Sequence, residues 1–78
     1  VVVNNRHGLH ARPAAMFVQI ANKFNSSVKV EKDGEAVDGK SIIAVLSLGV
    51  AQGTRLHLIL EGDDSLLALA ELKKFLES

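Results

Sequence analysis

The chain has 78 residues, 47% of them hydrophobic, which is enough apolar material for one small core. Nine basic and nine acidic side chains give a formal net charge of zero, so charge provides no attraction to nucleic acid or to an anionic membrane. The chain has no cysteine, which excludes disulfides and thiolate metal sites. It also has no signal-peptide pattern and no apolar run near the ~18 residues of a membrane span. We therefore expect a single soluble, cytoplasmic domain over residues 1–78.

The first predicted elements are a strand, a loop and an amphipathic helix. Residues 1–4 are mostly β-branched and predict a strand. Because the chain begins inside this run, we expect either that a few residues precede it or that the domain is part of a longer protein. Residues 5–8 read as a loop. Apolar residues then recur with the spacing i, i+3, i+4, i+7, which predicts a helix from Ala11 to Lys23. Its predicted inward face consists of Ala14, Phe17, Val18, Ala21 and Phe24.

A hairpin and a short helix follow. The segment from Ser27 to Lys32 alternates valines with polar residues, which is typical of a strand with one solvent-exposed face. Asp33-Gly34 is a strong hairpin signal and leads into a short strand from Glu35 to Val37. Ser41 is then predicted to cap a helix from Ile42 to Leu48.

The last elements are a strand and a helix. Residues 54–61 alternate again, with Leu56, Leu58 and Leu60 on one face. Asp64 is predicted to cap the final helix, since an aspartate favours the positive end of the helix dipole. The apolar stripe of this helix consists of Ala68, Leu69, Leu72, Phe75 and Leu76. The order βαββαβα predicts an α+β fold, an open-faced two-layer sandwich in which three helices cover one face of a sheet.

The loop that joins the first strand to the first helix carries the most distinctive chemistry. His10 lies where a helix presents unpaired backbone amides, and such a position favours an anion. Arg12 supplies a fixed positive charge that can pair with phosphoryl oxygens, and Pro13 fits the first turn because it lacks an N–H group. These residues predict a histidine that accepts and releases a phosphoryl group. The alternative is that His10 only caps the helix and Arg12 is solvated.

The short helix after Ser41 is more apolar than one packed side requires. We predict that Val45 and Leu48 point inward, and that the remaining apolar residues join part of the first helix in a docking surface for partner proteins. The predicted docking residues are Ala15, Met16, Gln19, Ile42, Ile43 and Leu46. The alternative is that the apolar residues of the short helix all belong to the core, and that Met16 lies at its edge.

The runs GLHARPAA, GKSIIAVLSLG and QGT resemble the histidine-containing phosphocarrier protein family, HPr, of the bacterial phosphoenolpyruvate-dependent sugar phosphotransferase system. The resemblance covers essentially the whole chain. It implies an antiparallel four-stranded sheet in the order 1-4-2-3. It also implies a monomeric carrier that is phosphorylated on Nδ1 of His10 by enzyme I and discharged to enzyme IIA proteins. Arg12 would pair with the phosphate, and Ser41 would be a regulatory phosphorylation site for an HPr kinase/phosphorylase.

Other functions fit less well. A regulatory module that contacts a kinase or a transcriptional regulator would not need a phosphorylatable His10. A nucleic-acid binder is disfavoured because the predicted strands carry no aromatic residue for base stacking. A metal site at His7 and His10 is disfavoured because no further ligand is close in the sequence. We expect no metal, no cofactor and no hydrolytic activity, because no catalytic grouping of side chains is visible.

Overall fold

The computed structural model of the chain describes residues 1–6 and 8–78. His7, predicted as a loop histidine, lies outside the described residues. In chain order the elements are α1 (Ala11–Asn22), β1 (Ser27–Lys32), β2 (Glu35–Asp38), α2 (Ile42–Ser47), β3 (His57–Glu61) and α3 (Ser65–Glu77). Helices α1 and α2 and the hairpin strands β1 and β2 each begin and end within one residue of the predicted limits. The last strand is shorter than predicted, because β3 begins three residues later than the alternation of residues 54–61 suggests.

The sheet has β1 at its centre, with β2 and β3 antiparallel on either side. Val30 of β1 pairs with Val37 of β2 and with Leu58 of β3. The hairpin turn uses Asp33 at φ +52° and Gly34 at φ +85°, the two positive dihedrals that a two-residue turn of this kind requires. The sequence signal for this hairpin is therefore confirmed in its geometry.

The prediction of a four-stranded sheet in the order 1-4-2-3 is wrong, because the described sheet has three strands in the order β2-β1-β3. The predicted first strand contributes one isolated antiparallel bridge, between Val2 and Arg55. Around this bridge, Val1 and Leu56 exchange two backbone hydrogen bonds, and the amide of Val3 donates to the carbonyl of Thr54 at 2.9 Å. The pairing ends there, because the carbonyl of Val3 accepts from the amide of Gly53 at 2.7 Å and the amide of Asn4 donates to the carbonyl of Leu76 at 2.8 Å. These last bonds join the segment to a turn and to the end of α3, so the pairing stays too short for a fourth strand.

The core lies between the sheet and the helices. Val28 and Val30 of β1 are buried, whereas Lys29 between them is exposed, as the alternation predicts. The helices contribute Ala14, Phe17, Ala21, Val45, Leu72 and Leu76 to the same buried cluster. Among the described helices, none combines the length and the apolar character needed to cross a membrane. Burial of these apolar side chains is the main force that holds the helices on the sheet.

Asp64 occupies the N-cap position of α3 as predicted, but its side chain makes no capping hydrogen bond. Its carboxylate instead accepts from the backbone amides of Asn25 and Ser26, both at 2.9 Å, and from the Ser26 hydroxyl. The hydrogen bond from the Ser26 side chain, followed by the one from the Asn25 amide, holds the pKa of the Asp64 carboxyl below its ordinary value of 3.8. Asp64 thus joins the start of α3 to the start of β1 instead of capping its own helix.

Candidate functional site

The loop before α1 is held against the segment that follows α2. Gly8 has φ +62°, and a Cβ atom built on it would lie 2.4 Å from the carbonyl oxygen of Val50. Leu9 is buried, and its amide donates to that same carbonyl at 3.0 Å. A side chain at position 8 would therefore both strain the backbone and separate the two segments. Glycine keeps them in contact, which fixes the position of the next residue, His10.

His10 is the N-cap residue of α1, with an extended backbone at φ −77° and ψ −171°. Its carbonyl accepts the first hydrogen bond of the helix, from the amide of Ala14 at 2.7 Å. Its side chain is exposed and makes no capping hydrogen bond. The structure therefore does not support the alternative that the imidazole only caps the helix. The ring is free to meet a reagent from solvent.

The first turn of α1 offers positive electrostatic potential beside His10. Within the described residues, the amides of Ala11 and Arg12 donate to no protein acceptor, and Pro13 has no amide hydrogen to donate. The guanidinium of Arg12 is exposed, and it makes no hydrogen bond or ion pair with any other described residue. The helix dipole adds about half a positive charge at this end. Two backbone amides and one exposed guanidinium thus lie close to where an anion attached to the histidine would be.

An open cleft of about 640 Å³ lies beside these residues. Its lining consists of Asn5, His10, Ala11, Arg12, Pro13, Met16, Phe75 and Ser78. Phe75 comes from α3, and sequence analysis assigned it only to the apolar stripe of that helix. Its contribution to this cleft was missed because the packing of α3 on α1 cannot be read from periodicity. Four of the predicted site residues do lie together at this cleft: His10, Arg12, Pro13 and Met16.

Ser41 caps α2 as predicted. Its hydroxyl accepts from the amide of Ala44 at 3.3 Å, and its own amide donates to the carbonyl of Asp38 at 3.2 Å. Ser41 is partly exposed, and its hydroxyl hydrogen has no acceptor within the described residues. The hydroxyl therefore stands at the positive end of a short helix, where a phosphate would meet backbone N–H groups.

The apolar side chains of α2 divide as predicted. Val45 is fully buried and Leu48 is 6% exposed, whereas Ile43 is 79% exposed. Ile42 and Leu46 are 38% and 39% exposed, and we call these three exposed residues the α2 patch. The alternative that all of them belong to the core is excluded by these exposures. The docking role of the α2 patch stays a prediction.

The predicted docking residues of α1 are less uniform. Met16 is 46% exposed and Gln19 is also exposed, whereas Ala15 is partly buried. Ile20, the residue after Gln19 in α1, is partly buried and packs against the core. Met16 also lines the cleft beside His10, so it is the residue of α1 that connects the histidine to an apolar surface.

Lys32 contacts the C-terminal end of α2, and sequence analysis did not predict this contact. Its ammonium donates to the carbonyls of Leu48 at 2.9 Å and Gly49 at 3.2 Å, at the end of α2. A cation at a helix C-terminus satisfies carbonyls that have no partner within the helix. Strand alternation predicts only that Lys32 avoids the core. Its target depends on how the hairpin lies beside α2.

Metal ligation finds no support at this site. The described residues contain no group of three or more histidine, cysteine, aspartate or glutamate side chains that could hold a metal ion. Of the histidines, His57 lies on β3 with its side chain 70% exposed, and its Nδ1 is 3.4 Å from the carboxylate of Glu31. His57 does not line the cleft beside His10, so it can serve as a control histidine in labelling experiments.

Comparison with known proteins agrees with this geometry. The family model described as "PTS HPr component phosphorylation site" matches residues 1–78. The chain belongs to the HPr family of the phosphotransferase system. It is 48% identical over 77 residues to the HPr-like protein Crh of Bacillus subtilis, covering 99% of this chain and 91% of that protein. It is 47% identical over 76 residues to the phosphocarrier protein HPr of Pseudomonas aeruginosa, covering 92% of this chain and 84% of that protein.

Two solved HPr structures match this chain at about the same sequence identity as these relatives. A crystal structure of HPr from Thermoanaerobacter tengcongensis has a TM-score of 0.96 at 50% identity, covering all of this chain and 88% of that one. HPr of the same organism was also solved as a dimer, with a TM-score of 0.82 at 49% identity, covering 99% of this chain and 88% of that one. Membership of the HPr family supports a phosphocarrier role in the phosphotransferase system.

Proposed function

We propose that this chain accepts a phosphoryl group from phospho-enzyme I on Nδ1 of His10 and transfers it to enzyme IIA proteins. The observation that carries the proposal is the exposed imidazole of His10 at the N-cap of α1, beside the amides of Ala11 and Arg12, which donate to no acceptor among the described residues. The chain would be a substrate that other enzymes load and unload, with no turnover of its own. Residues 1–78 would act as one domain in the cytoplasm.

Each transfer exchanges one bond to phosphorus for another. The lone pair of His10 Nδ1 attacks phosphorus as the bond to the donor atom of enzyme I breaks, and that atom keeps the electron pair. The phosphoryl group brings about −1.5 to −2 charges to the start of α1. The amides of Ala11 and Arg12 and the guanidinium of Arg12 would offset this charge, and Pro13 would hold the first turn in shape. On discharge, an acceptor atom of enzyme IIA attacks phosphorus, and the bond from phosphorus to Nδ1 of His10 breaks with its electron pair returning to the nitrogen.

A moderate clamp suits a carrier. The positive groups beside His10 are exposed, so solvent weakens their attraction for a phosphate. A deeply buried cage would hold the phosphate too strongly for release to the next protein. Partner proteins would dock on the α2 patch together with Ala15, Met16 and Gln19, because these residues are the apolar and polar surface near the histidine.

Labelling experiments test the proposal. The protein is incubated with phosphoenolpyruvate and a bacterial enzyme I, and acid-labile, base-stable phosphate is measured. We expect full labelling of the wild type and of His57→Ala and His7→Ala, and none of His10→Ala. A folded wild-type protein that takes no label, while a known HPr is labelled in parallel, would contradict the proposal.

Ser41 is proposed as a regulatory phosphorylation site for an HPr kinase/phosphorylase. A phosphate on its hydroxyl would meet the amides at the start of α2, so the helix would survive the modification. It would also place negative charge at the edge of the α2 patch and weaken docking of partners. We expect Ser41→Asp to keep its circular dichroism spectrum and to be labelled by enzyme I more slowly than Ser41→Ala. Equal labelling rates would contradict this mechanism.

A second candidate function is a regulatory binding module that uses Ser41 and the α2 patch to contact a kinase or a transcriptional regulator. The observation in its favour is the similarity to Crh, which is the catabolite repression HPr of Bacillus subtilis. The labelling experiment separates the two candidates, because a purely regulatory module requires no phosphate on His10. We do not propose a monomer, since HPr from Thermoanaerobacter tengcongensis was solved as a dimer.

A further inference from the structure

Met16 is the only residue of the chain that contains sulfur. The sequence has one methionine and no cysteine, so an oxidant that attacks sulfur has a single target. Met16 is 46% exposed on α1, and an oxidant dissolved in water can therefore reach its thioether. The next residue, Phe17, is fully buried, so α1 keeps its aromatic ring in the core and its sulfur at the surface. Oxidation of Met16 does not require the core to open.

Met16 also lies beside the residue proposed to carry the phosphoryl group. It lines the cleft of about 640 Å³ together with His10, Arg12 and Pro13. An unbranched thioether is flexible and polarizable, which suits a surface that meets several different partners. A change in the polarity of this one side chain would therefore act where partners approach the histidine.

A hydroperoxide converts a thioether into a sulfoxide in a two-electron step. A lone pair of the Met16 sulfur attacks one oxygen of hydrogen peroxide, and the O–O bond breaks with its electron pair leaving on the other oxygen. The attacked oxygen stays on sulfur, and its proton passes to the departing hydroxide, which leaves as water. Sulfur is oxidised and the peroxide is reduced. The product is a polar side chain in place of an apolar one.

The new oxygen would act on Arg12 as well as on docking. Arg12 lies four residues before Met16 in α1, so the two side chains are neighbours on one face of the helix. The guanidinium of Arg12 is exposed and makes no hydrogen bond or ion pair with any other described residue. A sulfoxide oxygen is an acceptor that would compete for this guanidinium with a phosphate on His10. The same oxygen would have to lose its bound water when a partner covers the cleft.

We propose that Met16 is an oxidation site and that its sulfoxide slows the loading of His10 by enzyme I. The inference rests on the proposed phosphocarrier function. A methionine sulfoxide reductase returns the side chain to the thioether, with thiols supplying two electrons and the oxygen leaving as water, so the modification is reversible. Hydroperoxides thereby lower the rate of phosphoryl transfer through this chain while it stays folded.

Peroxide treatment followed by labelling tests the inference. The protein is treated with hydrogen peroxide, the excess is destroyed with catalase, and mass spectrometry counts the added oxygen atoms and locates them. Labelling by phosphoenolpyruvate and enzyme I is then measured against the concentration of this chain. We expect one added oxygen on Met16, an unchanged circular dichroism spectrum and a KM about tenfold higher. Incubation with methionine sulfoxide reductase and dithiothreitol should restore the original KM.

Two variants act as controls, and the labelling of each is compared with that of its own untreated sample. Met16→Leu should gain no oxygen, and peroxide should not alter its labelling. Met16→Leu/Leu66→Met moves the sulfur to α3, where Leu66 is 82% exposed and does not line the cleft. This double variant should gain one oxygen and still be labelled as before treatment.

The possible failures are distinguishable. A wild type that gains no oxygen at Met16, or that is labelled equally well after complete oxidation, would overturn the inference and leave the phosphocarrier proposal intact. Slower labelling of either treated variant would assign the effect to a different position and overturn the inference as well. Absence of label on the untreated, folded wild type would contradict the phosphocarrier proposal and this regulation with it.

Discussion

The amide of Leu9 donates to the carbonyl of Val50 at 3.0 Å, so the residue before His10 is attached to the segment that leaves α2. Leu9 is also buried, which makes this contact part of the core and not a surface contact. The proposed phosphorylation site and the α2 patch are therefore fixed relative to each other through one short connection.

Substituting Gly8 by alanine should disturb this connection. The new Cβ would require a positive φ and would lie 2.4 Å from the carbonyl oxygen of Val50. We expect Gly8→Ala to lower the free energy of unfolding by about 2–4 kcal/mol, with a slower phosphorylation of His10, because backbone strain and a steric clash add. Urea unfolding and the enzyme I labelling assay measure the two effects.

Gly49→Ala is the control for Gly8→Ala. Gly49 has a similar φ of +63°, but a Cβ atom there would meet no atom within 4 Å. It should therefore lose only about 1 kcal/mol, which is the cost of the left-handed backbone alone. An equal loss in both variants would contradict the claim that Gly8 is required for close contact with Val50.

Lys32→Met should loosen the end of α2. The substitution keeps the apolar stem but removes the donors to the carbonyls of Leu48 and Gly49. We expect a loss of about 1 kcal/mol in the free energy of unfolding and faster amide hydrogen exchange in the last turn of α2. Lys29→Met on the same strand is the control, since the ammonium of Lys29 makes no hydrogen bond within the described residues. Unchanged exchange in α2 would show that Lys32 does not support it.

Docking should depend on Ile43, whereas folding should not. Ile43 is 79% exposed, so Ile43→Ala should change the free energy of unfolding by less than about 0.5 kcal/mol. Together with Leu46→Ala it should slow phosphate transfer from enzyme I by raising KM. Val45→Ala, one helix position from Leu46 but fully buried, should instead cost about 2 kcal/mol of stability. Transfer rates that stay normal in the folded Ile43→Ala/Leu46→Ala variant would remove the docking role.

Acid should weaken the fold partly through Asp64. Its pKa is lowered in the folded protein, chiefly by the hydrogen bond from the Ser26 side chain and then by the one from the Asn25 amide. The unfolded chain therefore binds the proton more readily, so the contribution of Asp64 is complete above its ordinary pKa of 3.8 and is lost as pH falls below that value.

The variant Asp64→Asn should have a shallower decrease of stability with pH in the acid range, measured by thermal unfolding between about pH 5 and pH 2. Asp63→Asn, which changes the neighbouring carboxylate, is the control, because Asp63 accepts no hydrogen bond within the described residues. A slope in Asp64→Asn that equals the wild-type slope would contradict the assigned role of the Ser26 contact.

Most of the fold could be predicted because it is coded locally. The spacing of Ala14, Phe17 and Ala21 predicts the buried face of α1, and Asp33-Gly34 predicts the hairpin turn. The error concerns the first strand. Its β-branched residues favour a strand locally, and Val1 and Val3 do hydrogen-bond to Leu56 and Thr54, but this pairing ends at Asn4 and is too short for a strand. The amide of Asn4 instead bonds to the carbonyl of Leu76, a partner 72 positions away that no local pattern can reveal.

The candidate site was predictable to a similar degree. His10, Arg12 and Pro13 form a compact motif, so their positions at the start of α1 follow from the sequence. The Ser26 contact of Asp64 and the contribution of Phe75 to the cleft were not predicted, because both depend on how α3 packs on the rest of the chain. Phosphorylation of His10 and Ser41 stays a proposal.

Nuclear magnetic resonance of the ¹⁵N-histidine-labelled protein tests the central claim most directly. The spectrum is recorded before and after treatment with phosphoenolpyruvate and enzyme I. We predict that only the ring nitrogens of His10 shift, in the pattern of an Nδ1 phosphoramidate, while those of His7 and His57 keep their positions apart from small effects. Phosphate on His7, on His57 or on Nε2 of His10, or no phosphorylation of the folded protein, would contradict the account.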